Sequence, residues 1–232
     1  MMKIIDNITE TVFRKLLQEG TGTAGLGVYA WDEGGAREAV IYDAQELMAA
    51  YRKHGKKIAY MPETDGIFRG MIKIQRPKNS CNGAWEVKFS AAENKGDGAI
   101  VYAVGFALAY PDMMLIPDRK YVSPAARSGW RSQFDKGRPS LKLDDVENPK
   151  TPEPKDDCDV YNDRDAETID RAYKTIGNEY TIRAALERTH AETMIRLGLE
   201  EKTSRKEVEN KLEFFFKVGA SNLFIKRFQT DL

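Results

Sequence analysis

Apolar residues recur along the first 136 residues with two spacings, one typical of strands and one typical of helices. Short alternating or apolar runs bounded by turn residues predict strands, and apolar positions three and four residues apart predict amphipathic helices. The chain up to residue 136 is therefore predicted to be an α/β region. The predicted strands are 26–31, 38–42, 57–61, 67–74, 85–90 and 113–116, and the predicted helices are 8–19, 44–54, 98–110 and 124–136.

Turn and capping residues define several of these boundaries. The segment Asp32-Glu33-Gly34-Gly35 joins the first two strands and is typical of a hairpin turn. Asp43 and Glu46 have the spacing of a capping box at the start of the next helix. Ser123 followed by Pro124 is a favoured start for the helix at 124–136. The first two strands are therefore predicted to pair, and two helices have defined first residues.

The composition changes at Gly137. Prolines and charged residues dominate 137–164, which predicts a linker or an extended segment. Beyond it, Ile169, Tyr173 and Ile176 have the spacing of one helix face. The predicted division is an α/β core at 1–136, a linker at 137–164 and a helical C-terminal region at 165–232.

The last predicted helix is rich in aromatic residues. Its apolar side chains are expected to pack on the core, or to form an interface with a second copy or a virion partner. They are Leu212, Phe214, Phe215, Phe216, Val218, Leu223 and Phe224.

The charge balance limits the possible partners. Lys plus Arg and Asp plus Glu both count 36, so the formal net charge is zero. This balance argues against a strong electrostatic grip on nucleic acid. DNA stays open as a partner through a local basic patch. That patch would consist of Arg119, Lys120, Lys136, Arg138 and Lys142.

The cysteine count and the hydropathy pattern indicate a cytoplasmic protein without a membrane partner. Cys81 and Cys158 are the only cysteines, too few for a disulfide framework or a cysteine-rich zinc site. No apolar run approaches the roughly 20 residues that span a bilayer, and the N-terminus lacks the apolar region of a signal peptide. Both thiols are therefore expected to be reduced.

One segment combines a strand, a glycine-bearing loop and an apolar helix. The strand at 85–90 leads into Gly96 and Gly98, and the helix at 98–110 follows. Glycines allow backbone N–H groups to approach a phosphate, and a helix N-terminus offers unpaired donors. A third glycine or alanine in register, needed for a Rossmann fingerprint, is absent, as is the Gly-Lys-Ser/Thr of a P-loop. The segment therefore predicts a pyrophosphate site of another kind.

Residues 93–98 read Glu-Asn-Lys-Gly-Asp-Gly, and Pro117-Asp118-Arg119, Val122-Ser123 and Trp130 follow them. The first run resembles the acyl-CoA loop of the GNAT (N-acyltransferase) superfamily, Gln/Arg-x-x-Gly-x-Gly/Ala. The whole order is similar to GNAT-like proteins encoded by bacteriophages. The resemblance covers roughly residues 57–160.

This resemblance implies a mixed central sheet flanked by helices, and a site for acetyl-CoA or another acyl-CoA. It implies acyl transfer to an amine of a small molecule, a protein or a modified nucleobase, with a base or an ordered water taking the proton. The candidate catalytic residues are Glu86, Asp118, Tyr121 and Ser123. The implied cofactor-binding residues are Phe89, Ser90, Lys95, Gly96, Asp97, Gly98, Ala99 and Trp130.

The sequence departs from the GNAT pattern at two places. Trp130 and Phe134 stand on the helix where many members carry a tyrosine that protonates the leaving thiolate. Glu93 and Asp97 flank the expected pyrophosphate position, and carboxylates repel a phosphate unless they point away from it. The orientation of these carboxylates is therefore a test of the interpretation.

Two other functions are compatible with the sequence. The chain could be a non-catalytic phage structural or host-interaction protein that uses the fold as a scaffold. Alternatively, Asp65, Glu86 and Lys88 fit the Asp…Glu-x-Lys arrangement of a Mg²⁺-dependent nuclease. Glu and Lys two residues apart on a strand also form an ordinary solvated face.

Overall fold

The computed structural model describes residues 25–55, 66–78, 81–110, 114–143, 157–159, 165–197 and 215–217. These residues form one seven-stranded mixed sheet with helices, so the prediction of a mixed sheet flanked by helices is confirmed. The strands are β1 (Leu26–Glu33), β2 (Ala36–Asp43), β3 (Phe68–Gln75), β4 (Trp85–Ala92), β5 (Met114–Ile116), β6 (Ser140–Lys142) and β7 (Arg171–Lys174). The helices are α1 (Ala44–His54), α2 (Asp97–Leu108), α3 (Pro124–Asp135), α4 (Ala166–Ile169) and α5 (Asn178–Arg196).

The strand order is β1-β2-β3-β4-β5-β7-β6. Neighbouring strands are antiparallel except β4 and β5, which are parallel. A parallel pair needs a crossover connection, and α2 lies in the chain between these two strands. The strand–loop–helix segment singled out in the sequence is therefore the crossover at the centre of the sheet.

The predicted turn and caps are confirmed. Gly34 and Gly35 have φ of 58° and 82°, and a two-residue hairpin turn of type I′ needs positive φ at both positions. The Asp43 carboxylate accepts hydrogen bonds from the N–H groups of Gln45 and Glu46 at the start of α1. The Ser123 hydroxyl accepts one from Ala126 N–H at the start of α3.

Each face of the sheet carries its own hydrophobic cluster. In β2, Ala39 and Ile41 belong to one cluster, and Val40 and Tyr42 belong to the other. Because successive strand side chains point to opposite faces, the clusters lie on opposite sides of the sheet. Residues of α2, α3 and α5 pack in the first cluster, and residues of α1 pack in the second.

The described part of the C-terminal region packs on this chain's own core. Phe215 and Phe216 are 2 % and 0 % exposed and belong to the second cluster. The Phe216 ring stacks on Tyr29 at 4.7 Å between centroids. The remaining aromatic residues of the predicted C-terminal helix, and the predicted helix at 8–19 and strand at 57–61, lie outside the described residues.

Helix α5 is anchored to the sheet through His190. The Tyr42 hydroxyl and His190 Nδ1 are 2.8 Å apart, and the His190 ring also contacts Tyr29 and Phe216. Burial is the main cause that lowers the pKa of His190 below its ordinary value, against a smaller opposing effect of Glu187. The neutral imidazole therefore fits this aromatic site better than the imidazolium does.

The segment from Ile169 to Ile176 differs from its prediction. The expectation that Ile169, Tyr173 and Ile176 share a helix face is wrong, because α4 ends at Ile169 and β7 follows. Strand β7 pairs with both β5 and β6, and Ala172 and Tyr173 are fully buried within it. Strand β6 itself lies inside the range predicted as a linker.

The expectation of reduced thiols is also wrong in this structure. Cys81 and Cys158 form a disulfide, with 4.7 Å between their Cα atoms. Cys158 is completely buried and belongs to a third small cluster with Leu143 and Ile116. The disulfide therefore attaches a part of the proline-rich range to the sheet. Within the described ranges, no helix is both long and apolar enough to cross a bilayer.

We expect acid to destabilise the fold through His190. Because its pKa is lowered in the folded state, the unfolded chain binds a proton that the folded chain resists. The stabilising effect is complete above about pH 6.5 and is lost as the pH falls from there toward the lower folded-state pKa. Urea unfolding at several pH values between about 7 and 5 measures this slope. His190→Gln should make the free energy of unfolding less dependent on pH, whereas His54→Gln, the matched control, should leave this dependence unchanged. Identical slopes in all three proteins would contradict the assignment.

Candidate functional site

Strands β4 and β5 part soon after they meet. Trp85 pairs with Leu115 and Glu86 pairs with Ile116, and in the described residues the pairing stops there although β4 continues to Ala92. Pro117 follows Ile116 and has no N–H group to extend the ladder. Beyond Glu86, the C-terminal half of β4 therefore has no pairs with β5 in the described residues, and we call this end of the pairing the divergence of the two strands.

A β-bulge in β4 marks the point of divergence. Val87 pairs with Ile74 of β3 and Phe89 pairs with the adjacent Lys73, so Lys88 is the additional residue. A bulge bends its strand, increases the twist and redirects a side chain. The bulge in the backbone therefore sets the direction of the Lys88 side chain.

Lys88 lies between two carboxylates. Its Nζ is 2.6 Å from Glu86 Oε1 and 3.1 Å from Asp118 Oδ2. The second oxygen of Asp118 accepts hydrogen bonds from the N–H groups of Lys120 and Tyr121. We call Glu86, Lys88 and Asp118 the carboxylate–lysine cluster. It connects β4 to the loop after β5 where the two strands separate.

The cluster keeps Lys88 protonated. Burial acts to lower the pKa of Lys88, but the hydrogen bonds and charges of Glu86 and Asp118 outweigh burial and raise it above its ordinary value. Glu86 is only 4 % exposed and also accepts a 2.5 Å hydrogen bond from Arg119 N–H. As held here, the ammonium is neither a base nor a nucleophile, and Glu86 Oε1 accepts from both Lys88 and Arg119.

Arg119 anchors the loop that follows β5. Its guanidinium donates to the backbone oxygen of Asp159 at 2.7 Å and to that of Ile169 at 2.8 Å. It also forms a 2.5 Å ion pair with Asp170, and both side chains are almost fully buried. The backbone N–H group of Arg119 itself donates to Glu86. Arg119 therefore connects the cluster with the segment at 157–159.

The N-terminus of α2 follows the loop at the C-terminal end of β4. Gly96 precedes the helix with φ of 104°, a conformation that favours glycine. The Asp97 carboxylate faces Arg69, which donates to its two oxygens at 3.0 and 3.2 Å, and Asn94 donates at 3.1 Å. The negative charge of Asp97 is therefore paired. Sequence reasoning missed Arg69, because it stands in a strand far from the loop in the chain.

Gly98 is placed differently from Gly96. It lies in the first turn of α2 with an ordinary helical conformation, and a Cβ added there would meet nothing within 4 Å. By contrast, a Cβ on Gly105 of the same helix would lie 2.4 Å from Ile72 Cδ1. Neither backbone conformation nor packing among the described residues requires glycine at position 98. The open space above it is suited to close approach of a ligand.

The other predicted site residues are distributed between the divergence and the core. Ser90 lies on the diverging half of β4, with its Oγ 3.4 Å from the Tyr102 hydroxyl. Trp130 is 1 % exposed and packs against Tyr102 and Tyr173, so it is part of the core and not of an open surface. Tyr121 is 67 % exposed.

The remaining predicted site residues lie on β4, in the loop that follows it and at the start of α3. Phe89 is partly buried against the second hydrophobic cluster, and Ser123 serves as the N-cap of α3. Lys95 and Ala99 are exposed beside Gly96 and Gly98. Strand β4 thus contacts Asp118 through Lys88 near its middle and leads into the loop at its C-terminal end.

Two residues of the predicted basic patch are engaged in internal contacts. Arg138 forms an ion pair with the buried Glu179 and lies over the Phe106 ring, and Arg119 is also engaged internally. Both are therefore unavailable to the predicted basic patch. Asp65 of the predicted nuclease set lies outside the described residues. Among the residues with assigned positions, no three His, Cys, Asp or Glu side chains form a group that could hold a metal ion.

Comparison of the chain with protein-family models, curated proteins and solved structures finds no match in any of the three. The resemblance to GNAT proteins therefore stays a prediction from the sequence.

We expect the Arg69–Asp97 ion pair to stabilise the start of α2. Arg69→Met leaves the Asp97 carboxylate without its cation in a site where it is 12 % exposed. The expected cost is about 1–3 kcal/mol in the free energy of unfolding, measured in urea. Arg131 is a matched control, because it also pairs with an aspartate but is itself 57 % exposed. Arg131→Met should cost about 0–1 kcal/mol. Equal losses in the two variants would show that the Asp97 pairing is unimportant.

Proposed function

We propose that the protein is a GNAT-like acyltransferase that moves an acyl group from acetyl-CoA or another acyl-CoA to an amine. One observation carries the proposal: β4 extends beyond its two pairs with β5 and leads into a glycine-bearing loop and the N-terminus of α2. A diverging strand offers backbone donors and acceptors to an extended amide-containing ligand, and a helix N-terminus offers N–H groups to a phosphate.

The described residues fit an acyl-CoA. The pantetheine arm would lie along the diverging half of β4, near Phe89 and Ser90. The pyrophosphate would accept hydrogen bonds from the N–H groups of Gly96, Gly98 and Ala99. Two findings support this fit. The space above Gly98 is open, and the Asp97 carboxylate that would repel a phosphate is turned to Arg69.

The reaction itself is attack of an amine nitrogen on the thioester carbonyl. The new C–N bond forms, the C–S bond breaks, and the thiolate takes up a proton. The Tyr102 hydroxyl lies close to Ser90. Tyr102 belongs to α2, whereas the tyrosine of the family pattern is expected on the helix of Trp130, which is α3. Burial raises the pKa of Tyr102, so the hydroxyl is protonated at neutral pH and is a weaker acid than an exposed tyrosine.

The carboxylate–lysine cluster would face the acceptor amine. Glu86 is held by Lys88 and by Arg119 N–H. Its role in the proposal is therefore to orient the incoming amine and to hold negative charge near it. Proton removal then falls to an ordered water. The acceptor is an amine of a small molecule, a protein or a modified nucleobase. The phage origin and the cytoplasmic location stay predictions from the sequence.

The non-catalytic alternative is a scaffold that uses the aromatic C-terminal helix as an interface. Phe215 and Phe216 are already buried in this chain's own core, which leaves them unavailable to a partner. Binding of acyl-CoA distinguishes the two interpretations, because a scaffold has no need of it.

The test is calorimetric titration with acetyl-CoA. The native chain should bind with measurable heat, and Gly98→Trp should lose binding because the indole fills the open space at the α2 N-terminus. Ala191→Trp places the same side chain at an exposed position of α5 and should bind as the native chain does. No heat with the native chain, or equal binding by all three proteins, would rule out this site.

A further inference from the structure

The segment at 157–159 lies between the disulfide and the candidate site. Cys158 is bonded to Cys81, and Cys81 N–H also donates to the Asp157 oxygen at 3.0 Å. One residue beyond the disulfide, the Asp159 oxygen accepts the 2.7 Å hydrogen bond from Arg119 Nε. The covalent bond therefore fixes one of the acceptors that hold the Arg119 side chain.

We propose that Arg119 is a positioning residue through which the Cys81–Cys158 disulfide sets the geometry of the carboxylate–lysine cluster. Its guanidinium binds the 157–159 segment and the Ile169–Asp170 corner, and its backbone N–H binds Glu86. The preceding residue, Asp118, is the second partner of Lys88. A displacement of Arg119 thus changes both carboxylates that hold Lys88.

The shape of the guanidinium explains why arginine stands at this position. It donates in three directions, to two backbone oxygens and one carboxylate, and it is 6 % exposed. A lysine ammonium keeps the charge but cannot reproduce this planar fork. Because Ile169 and Asp170 hold Arg119 independently of the disulfide, loss of the disulfide should loosen the cluster less than replacement of Arg119 does.

Reduction of the disulfide is a defined chemical step. A dithiol such as dithiothreitol breaks the S–S bond, each cysteine sulfur gains a proton, and the two thiols of the reagent are oxidised to a disulfide. The Asp159 oxygen then depends on non-covalent contacts alone for its position. The catalytic meaning of this coupling rests on the proposed function, whereas the coupling itself can be measured without any acyl-CoA.

Lys88 reports the state of the cluster. An ammonium held by two carboxylates reacts slowly with an acylating reagent, because only the neutral amine is nucleophilic. Lys73 is the internal reference, since it lies on the adjacent strand and, among the described residues, pairs with Glu38 alone at 2.7 Å. The full-length protein is treated with the N-hydroxysuccinimide ester of acetic acid, and acetylation of both lysines is followed by peptide mass spectrometry.

The ratio of the Lys88 rate to the Lys73 rate is the measured quantity. It should rise several-fold in Arg119→Lys, and less, but measurably, after reduction or in Cys81→Ala/Cys158→Ala. The matched control Arg131→Met removes an exposed ion pair elsewhere and should leave the ratio unchanged.

Two outcomes overturn the proposal. One is an unchanged ratio in Arg119→Lys or in the cysteine variant. The other is a parallel rise of both lysine rates, which would indicate general loosening of the fold and no specific coupling. Neither outcome depends on acetyl-CoA binding, so failure of this proposal and failure of the acyltransferase proposal are distinguishable.

Discussion

In the described residues, the parallel strands β4 and β5 pair at only two positions, and the arrangement of the residues around them depends on this. Pairing of β4 with β5 is limited to Trp85 and Glu86 in the described chain. Pro117 interrupts the ladder on β5, and the bulge at Lys88 bends β4. Backbone polar groups that leave a sheet need other partners. In the gap beyond the last pair, the N–H groups of Arg119, Lys120 and Tyr121 find theirs in the carboxylates of Glu86 and Asp118.

Charged side chains at this gap are paired before any ligand arrives. Asp97 has Arg69, Asp170 has Arg119, and Lys88 has two carboxylates. Such pairing is needed because an ion removed from water without a partner is costly. Elsewhere Glu179 follows the same rule: burial would raise its pKa, but hydrogen bonds from Arg138 and Thr175 outweigh burial and lower it. The equal numbers of acidic and basic residues are thus partly used in specific internal pairs.

Local features of the fold could be predicted from the sequence, because neighbouring residues alone decide them. Gly34 and Gly35 determine the hairpin turn, and Ser123 caps α3 through a hydrogen bond three residues away. Strand β7 could not be predicted in this way. Tyr173 and Ile176 have a spacing that fits a helix, and only the open position between β5 and β6 makes the segment a strand.

The candidate site was predictable to a similar extent. Gly96, Gly98 and Asp118 stand out in the chain, and the fold places Asp118 against Lys88 of the strand that leads to the two glycines. The internal ion pairs of Arg69 and Arg119 do not stand out, because the partners are distant in sequence: Asp97 is 28 residues from Arg69, and Asp170 is 51 residues from Arg119. Ion pairs of this kind appear only when strands and loops have their places. Trp130 illustrates the converse, since an aromatic residue in a family-like position is used here for the core.

The disulfide also constrains the chain when it is not folded. Cys81 and Cys158 are 77 residues apart, and the covalent loop between them contains β4, α2, β5, α3 and β6. Closing a loop of this length removes conformational entropy from the unfolded ensemble, an effect of about 4.5 kcal/mol in the chain-entropy model. Both walls of the divergence, and the helix whose N-terminus faces it, therefore stay within reach of each other even in a denatured molecule. A single peptide-bond cleavage inside this loop would leave the two pieces covalently joined.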